Sequence, residues 1–412
     1  MRILQLAQFY PPLIGGEENH VRNLGIALAE RGHQVAVATQ AVDCLPDVAD
    51  DAGVEVHRLR STTQGIGWLY ANPQRRLAPP LPDPGFVRGL RQVVDRFQPD
   101  VVHAHNWAIY SYLPLHRRRR GLVLSLHDYS SVCAKKTLIW GASELCPGPS
   151  ISRCPTCAVD HYGAAKGLMT VAGLFMADRF LTRAVDTFLP VSSAVADGNR
   201  LSERHLPFKV IPNFVPDALL EDETPASMPY AEQLPSEPFI LYVGAFARRK
   251  GIHVLLDAYR SLPDAPPLVL IGYDTSEALP ELASPPPGVD VHRNWPHDAV
   301  MAAWRRALVG VVPSTWADPC PTVAIEAMAA GRPLIASCIG GLTDLVQDGE
   351  NGLLSTPGDH RVLADALKTL LNDPPLAARM GEAGRDRARR FTASAVVDQI
   401  ARVYGSVASR TQ

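Results

Sequence analysis

No hydrophobic run in this 412-residue chain approaches the roughly 20 residues needed to cross a bilayer, so nothing in it reads as a membrane span. A net charge of only -2 leaves no bulk attraction to nucleic acid, and recognition of any charged ligand must be local. No G-x-G-x-x-G follows the first apolar run, which argues against a dinucleotide oxidoreductase. No D-x-D triplet stands in a metal-binding context, which fits phosphate neutralisation by side chains and amides. Residues 1–8, M-R-I-L-Q-L-A-Q, carry one arginine before a short apolar run without a cleavage-site pattern. They read as a first strand, and the expected location is the cytoplasm, with peripheral contact at a membrane as an extension of it.

What is present is an alternation of short apolar runs and amphipathic segments over a length that favours two cores. Strand, loop, helix and strand follow one another in the first forty residues: Arg2–Phe9, a turn, a helix from about Glu18 to Arg31, then Gln34–Thr39. Similar runs recur at Val54–Leu59, Asp100–His105, Leu122–His127, Thr187–Val191 and Lys209–Ile211. Alternation of this kind predicts parallel sheets covered by helices on both faces. A Pro-rich, acidic stretch interrupts the pattern, and Glu221, Asp222 and Glu223 within it read as a solvated linker. The division is then a first domain over 1–216 with a cysteine-rich insert at 133–157, a linker over 217–236, a second domain over 237–392, and a closing helix over 393–412.

Chemistry-bearing residues gather where these strands end. The stretch V-P-S-T-W-A-D-P-C-P-T-V-A-I-E-A-M-A-A-G, ending at Gly331, holds Asp318 and Glu326 with seven residues between them. Pro319 and Pro321 force a turn, and Thr322 is expected to cap a helix over Val323–Ala330. Amides at that helix start, such as those of Val323 and Ala324, suit a diphosphate, and Glu326 suits a vicinal diol. Arg248, Arg249 and Lys250 follow the strand F-I-L-Y-V-G and form a candidate phosphate clamp. Gly15 and Gly16 in the first turn allow a ligand close to the backbone, with Glu17 and Glu18 behind them. His127 and Asp128 end the strand L-V-L-S-L; of His103 and His105, one is expected to point into the core. The Ile271–Tyr273 and Asn294–Pro296 regions are candidates for a base pocket.

These motifs resemble those of the retaining glycosyltransferases of family 4, with the two-domain GT-B fold, in which two Rossmann-like, doubly wound parallel-sheet domains face a cleft. The Asp318 stretch is similar to P-S-x-W-x-E-x-x-P-x-x-x-x-E-A-M, V-G-x-x-x-x-x-K-G to G-R-x-x-x-x-K-G, and the His127 segment to T-L-H-D. F-Y-P-P-L-I-G-G-E-E-N-H follows the family's opening. Asn213 in I-P-N-F and Gly340-Gly341 match two further runs. Two positions depart: Asp318 replaces Glu, and Ala245 replaces Arg, with Arg248 or Arg249 left to compensate.

The resemblance implies sugar transfer from a nucleotide-sugar to a small-molecule, lipid or glycan acceptor by metal-independent, same-face displacement. Lys250, Arg248, Arg249, Thr322, Val323, Glu326 and Gly16 would hold the donor. Asp318 and His127 would meet the transferred sugar; Gly15, Gly16 and Glu18 would face the acceptor. No cofactor is required for that chemistry. Two alternatives are an epimerase or hydrolase of the same fold and a sugar-nucleotide-binding protein with a decayed site.

Three features have roles that the resemblance does not assign, although the cysteine-rich insert is itself similar to one that some family 4 members carry. Cys133, Cys146, Cys154 and Cys157, closing on C-P-T-C, are compatible with a structural zinc knuckle, with reduced free thiols, or with disulfide or redox use. The run His116-Arg117-Arg118-Arg119-Arg120 is either a solvated helix end or a contact for anionic lipid or an acidic acceptor. Trp68, Tyr70 and Trp107 are packing residues or a stacking platform for an acceptor.

Overall fold

The computed structural model describes residues 1–13, 15–66, 79–117, 119–141, 144–221, 228–275, 277 and 279–410. Trp68, Tyr70, Arg118, Asp222 and Glu223 lie outside the described residues. The chain divides into two compact units, Met1–Pro212 with Val396–Gln412, and Asn213–Ala395.

In the first unit the strands are β1 (Arg2–Leu6), β2 (Gln34–Gln40), β3 (Val48–Asp51), β4 (Val54–Leu59), β5 (Val101–His105) and β6 (Gly121–Leu126). A two-residue antiparallel pair, β7 (Ile139–Trp140) and β8 (Glu144–Leu145), falls in the cysteine-rich insert, and β9 (Thr187–Pro190) follows. The main sheet runs β3-β4-β2-β1-β5-β6-β9 and is parallel except at β3, which pairs antiparallel with β4. β3 is short and acidic, V-A-D-D, the kind of sequence that blunts a sheet edge, and it lacks the apolar run by which the buried strands announce themselves. Lys209–Ile211 is not a strand: the segment runs beside β9 with one isolated bridge, Phe188 to Phe208, and a further bond from Ile211 N to Pro190 O at 3.0 Å.

The second unit repeats the plan with six strands: β10 (Ile240–Phe246), β11 (Leu268–Asp274), β12 (Val289–Arg293), β13 (Val309–Val312), β14 (Leu334–Ser337) and β15 (Gly352–Ser355). Their order is β12-β11-β10-β13-β14-β15, all parallel. The central strands of both sheets are buried along nearly their whole length and are mostly apolar, β5 with its two histidines excepted, because helices cover both faces. In each sheet the order reverses beside the first strand of the unit, which is where open α/β sheets place ligands beyond their carboxyl ends.

The helix Ala393–Ser409 closes the first unit from Val396 onward: Val396, Val397, Ile400, Tyr404 and Val407 are buried, and Val407 lies against Gly121, where an added Cβ would come within 2.7 Å. Tyr404 also reaches the middle of β5, its hydroxyl 2.6 Å from His103 Nδ1, while His103 Nε2 sits 2.8 Å from Ser125 Oγ. Both β5 histidines are buried, not one, because alternate strand positions share a face and this face is roofed.

Burial pushes the His103 imidazole down to about 3, with the nearby His127 adding a smaller push. An unfolded histidine titrates near 6.5, so below that pH the unfolded chain takes a proton that folded His103 refuses. Stability should therefore fall as pH drops from 6.5 toward 3, by up to about 1.4 kcal/mol per pH unit from this group. Urea unfolding between pH 8 and 5 tests this; the slope should be shallower in His103→Gln than in the native protein, and equal slopes would refute it. Tyr404→Phe should cost about 1–3 kcal/mol by orphaning a buried ring nitrogen.

Candidate functional site

In the second unit, the turn Arg248–Lys250 leaves β10 and stops at Gly251, whose φ of 77° and position allow no side chain: an added Cβ would lie 1.8 Å from Pro313 O. That contact clamps the β10 turn to the end of β13. Thr315 N donates to Arg249 O at 2.9 Å across the same seam. Gly340, at φ 63°, makes the equivalent close approach to the Asp318 peptide, and Gly341 N donates to Asp318 O at 2.7 Å. Backbone packing from three strands thus fixes the loop that carries Asp318.

The Asp318 carboxylate is 5% exposed and is held by a short ion pair with Lys250 Nζ, with Ser314 Oγ donating to the same oxygen at 3.3 Å. Lys250 Nζ and the Arg249 guanidinium both lie over the Trp316 ring, at 5.7 and 5.9 Å from its centre. Arg248 turns elsewhere: its guanidinium pairs with Glu281 at 2.9 Å and its amide donates to Glu277. Arg249, and not Arg248, therefore shares a platform with Lys250, while Ala245 is buried at the end of β10.

The next helix is Thr322–Ala329. Thr322 is its first residue after the cap position Pro321 and makes no capping bond, a correction to the expectation for it; proline at the cap position has no hydroxyl and Thr322 sits one place too far in. The Ala324 amide also differs from expectation, because it donates to Pro321 O at 3.1 Å. Glu326 is buried one turn in, and His297 Nε2 lies 3.2 Å from its Oε1. That hydrogen bond is the main reason the His297 pKa is raised, so the contact gains charge-assisted character as His297 protonates. Asn213 Nδ2 donates to Cys320 O at 3.0 Å, tying the start of the unit to the proline turn. His297 was missed by sequence reasoning, since nothing in W-P-H-D-A-V marks it.

In the first unit, the helix begins at Gly16, two residues earlier than its apolar pattern, with Gly15 as its extended cap residue and Glu17 and Glu18 in the first turn, where they complement the helix dipole. Gly16 is exposed, and an added Cβ would meet nothing within 4 Å, so packing does not demand glycine there. Glu18 is buried on the inner face.

Asn106, the first residue past β5, joins this helix to His127. Its Oδ1 accepts the His127 amide at 3.1 Å and the Ser130 hydroxyl at 3.2 Å; its Nδ2 donates to Glu17 Oε2 at 2.7 Å and lies 3.4 Å from Asp128 Oδ2. Asn106 is buried with φ of 50°, a left-handed conformation that asparagine tolerates well. The N of V-V-H-A-H-N-W was the available signal for it.

His127 Nε2 is 2.9 Å from His105 Nδ1, and the His20 ring stands edge-on 4.8 Å from that of His127. Burial holds His20 and His105 well below the usual imidazole range. The ligand atoms of His20, His105 and His127 all lie within 4.8 Å of one another, close enough to share an ion, and they are the single group of three or more potential metal ligands so gathered among the described residues. Cys133, Cys146, Cys154 and Cys157 form no such group, although they border one small cavity and are all free thiols. Burial raises the Cys133 thiol against the pull of the backbone amides of Leu138, Lys135, Thr137 and Lys136. Trp107 is buried and donates to Ser130 O at 2.8 Å, which makes it a packing residue.

The Lys250 pair yields a direct test. Lys250→Ala leaves the Asp318 carboxylate buried with one weak hydroxyl partner and should destabilise the protein by about 3–5 kcal/mol. Adding Asp318→Asn should recover most of that loss in urea unfolding. Equal destabilisation by the single and double variants would show that the pair does not hold the loop.

Comparison with known proteins gives two family matches in chain order. The model described as Glycosyltransferase Family 4 covers residues 14–219, and that described as Glycosyl transferases group 1 covers residues 230–387. A glycogen synthase of Mycobacterium tuberculosis (strain ATCC 25618 / H37Rv) is 29% identical over 429 aligned residues, spanning 98% of this chain and 94% of the relative. The solved sucrose-phosphate synthase of Thermosynechococcus elongatus superposes with a TM-score of 0.74 at 24% identity, covering 99% of both chains. Anabaena HepE, solved in complex with UDP and glucose, superposes at 0.67 with 21% identity over 98% of this chain and 100% of that one. At such identities the solved structures speak for the fold, and the family matches speak for the chemistry. The chain belongs to glycosyltransferase family 4 and is a glycosyltransferase of the GT-B fold.

Proposed function

We propose that the protein transfers a sugar from a nucleoside diphosphate sugar to an acceptor hydroxyl with retention at the anomeric carbon, and that the second unit binds the donor. The observation that carries this reading is the grouping of Lys250, Arg249, Asp318 and Glu326 beyond the ends of β10 and β13. Two cations over one indole face suit a diphosphate, a buried carboxylate one turn into a helix suits the ribose diol, and Asp318 suits hydroxyls of the sugar. HepE, solved with UDP and glucose, supports a nucleotide donor on this fold.

The reaction needs no covalent intermediate. The acceptor oxygen forms its bond to the anomeric carbon on the face from which the diphosphate leaves, and the acceptor proton passes to the departing phosphate oxygen. Charge grows on that diphosphate in the transition state, so Lys250 and Arg249 lower the barrier by meeting it. Donor binding must draw Lys250 from Asp318 toward phosphate, which frees the carboxylate for the sugar in the same movement. Asp318 is one methylene shorter than the usual Glu, and the Gly340 and Gly341 contacts to its peptide hold the loop in the position that this shorter side chain uses. Arg249 takes the place left by Ala245. The first unit supplies acceptor binding through the Gly15-Gly16 turn, Glu18 and His127.

Two variants separate the roles. Glu326→Ala should weaken nucleoside diphosphate binding, whereas Asp318→Asn should keep that binding and lose kcat. Removing Lys250 as Lys250→Met should lower kcat/KM by about 2.7–4 kcal/mol, the usual cost of one transition-state donor. NMR of the product's anomeric proton reports the stereochemistry. An inverted product, or donor consumption at full rate without any acceptor, would overturn the proposal.

A further inference from the structure

The helix Ala164–Ala184 carries an unpartnered apolar stripe. Leu168, Met169, Phe175, Met176 and Phe180 are all exposed on it, Met176 and Phe180 to 70% and 68%. They recur at intervals of one, six, one and four residues, so they share a helix face together with Ala165, Ala172, Arg179 and Arg183. The opposite face fixes the helix in this rotation. A Cβ at Gly167 would come within 2.5 Å of Ala158 O, one at Gly173 within 2.9 Å of Pro80 O, and Val171, Leu174 and Leu181 are buried between them. The apolar stripe cannot be turned inward without breaking those contacts.

The exposed charges on the stripe itself have one sign, while Asp178 and Glu203 at its edge, where they line a cavity with Phe175, are each paired to an arginine. The cations of the stripe are Arg179 and Arg183, with Lys166 two residues before Leu168 and its ammonium over the Tyr162 ring at 5.0 Å. The helix holds a single acid, Asp178, which is ion-paired to Arg204. The turn Leu113–Leu115 packs against the same helix and leads straight into the basic run, in which Arg117 and Arg119 are exposed. A twofold pairing of two copies would set Arg179 and Arg183 against their own copies, with no acid on the stripe itself to receive them. A surface of anionic phospholipid answers both features, taking the Phe, Met and Leu side chains among its acyl chains while the arginines extend to its phosphates. No helix of the described residues is long and apolar enough to cross a membrane, so the contact is with the membrane face.

We propose that the exposed stripe Leu168–Arg183, flanked by the basic run, docks this protein on the surface of an anionic bilayer. The docking is independent of the proposed reaction and adds to it a lipid surface on which an acceptor can be met.

Sedimentation of the full-length protein with vesicles of phosphatidylcholine, with and without phosphatidylglycerol, is the test. The native protein should pellet with the anionic vesicles and be released by added salt. Met176→Ser with Phe180→Ser should weaken binding roughly 100-fold, and Arg179→Gln with Arg183→Gln roughly 30-fold, toward anionic vesicles alone. All four positions are exposed, so thermal stability and nucleoside diphosphate binding should not change, and these controls separate failure of docking from failure of the donor reading. Equal binding by native and variant protein, or no binding of the native protein to anionic vesicles, overturns the proposal. A native dimer that the Met176 and Phe180 variant converts to monomer would assign the stripe to self-association instead, and an unchanged stripe that requires an acidic protein partner would do the same for that partner.

Discussion

The candidate site of the second unit is built around one buried ion pair, Lys250 with Asp318. Removing a carboxylate from water is expensive unless a cation and hydrogen bonds accompany it, and here the cation comes from the turn after β10 while the carboxylate comes from the loop after β13. The pair therefore stitches two neighbouring strand ends. Gly251 packs the β10 turn on Pro313, and Gly340, past β14, packs on the Asp318 peptide, in both cases where no side chain would fit, so the ion pair works on a frame already within reach. Trp316 floors the arrangement and gathers a second cation, Arg249, on its face.

A pair that is stable without ligand is also a pair that ligand must reorganise. In the proposed reaction a diphosphate carries more charge than Asp318 offers, so phosphate would win Lys250 and release the carboxylate toward sugar hydroxyls. Donor binding and sugar positioning would then be one event. His297 does the corresponding work at Glu326, holding one carboxylate oxygen, and in the proposed reaction the other would take a diol. In the first unit, Asn106 plays the joining part: one amide side chain connects Glu17 at the helix start, the His127 peptide and the Asp128 turn, so the glycine turn and the His127 strand end are positioned by a single residue.

Much of this was legible in the sequence for a physical reason. Strands buried on both faces are mostly apolar, and open α/β sheets place ligands beyond their carboxyl ends, so the candidates Lys250, Asp318 and His127 stand just past such strands, with Glu326 in the helix that follows. What was not legible depends on contacts between distant segments. The choice of Arg249 over Arg248 turns on Glu277 and Glu281 capturing Arg248; His297 acts through a helix distant in sequence; β3 is acidic and exposed, so it lacks the signal of its neighbours. Thr322 was misjudged by one position, since Pro321 takes the cap. The stripe on Ala164–Ala184 was hidden because its apolar residues look like a core face until the glycine contacts show which side is inside.

The measurement that bears most directly on the central claim is calorimetric titration of UDP, ADP and GDP into the native protein and into Lys250→Met and Glu326→Ala variants. The account predicts that one nucleoside diphosphate binds the native protein selectively, that both variants lose most of that affinity, and that native binding weakens as salt screens the phosphate contacts. Undiminished binding in both variants would contradict it, because the diphosphate and ribose would then be held by groups other than the buried pair and its neighbouring helix.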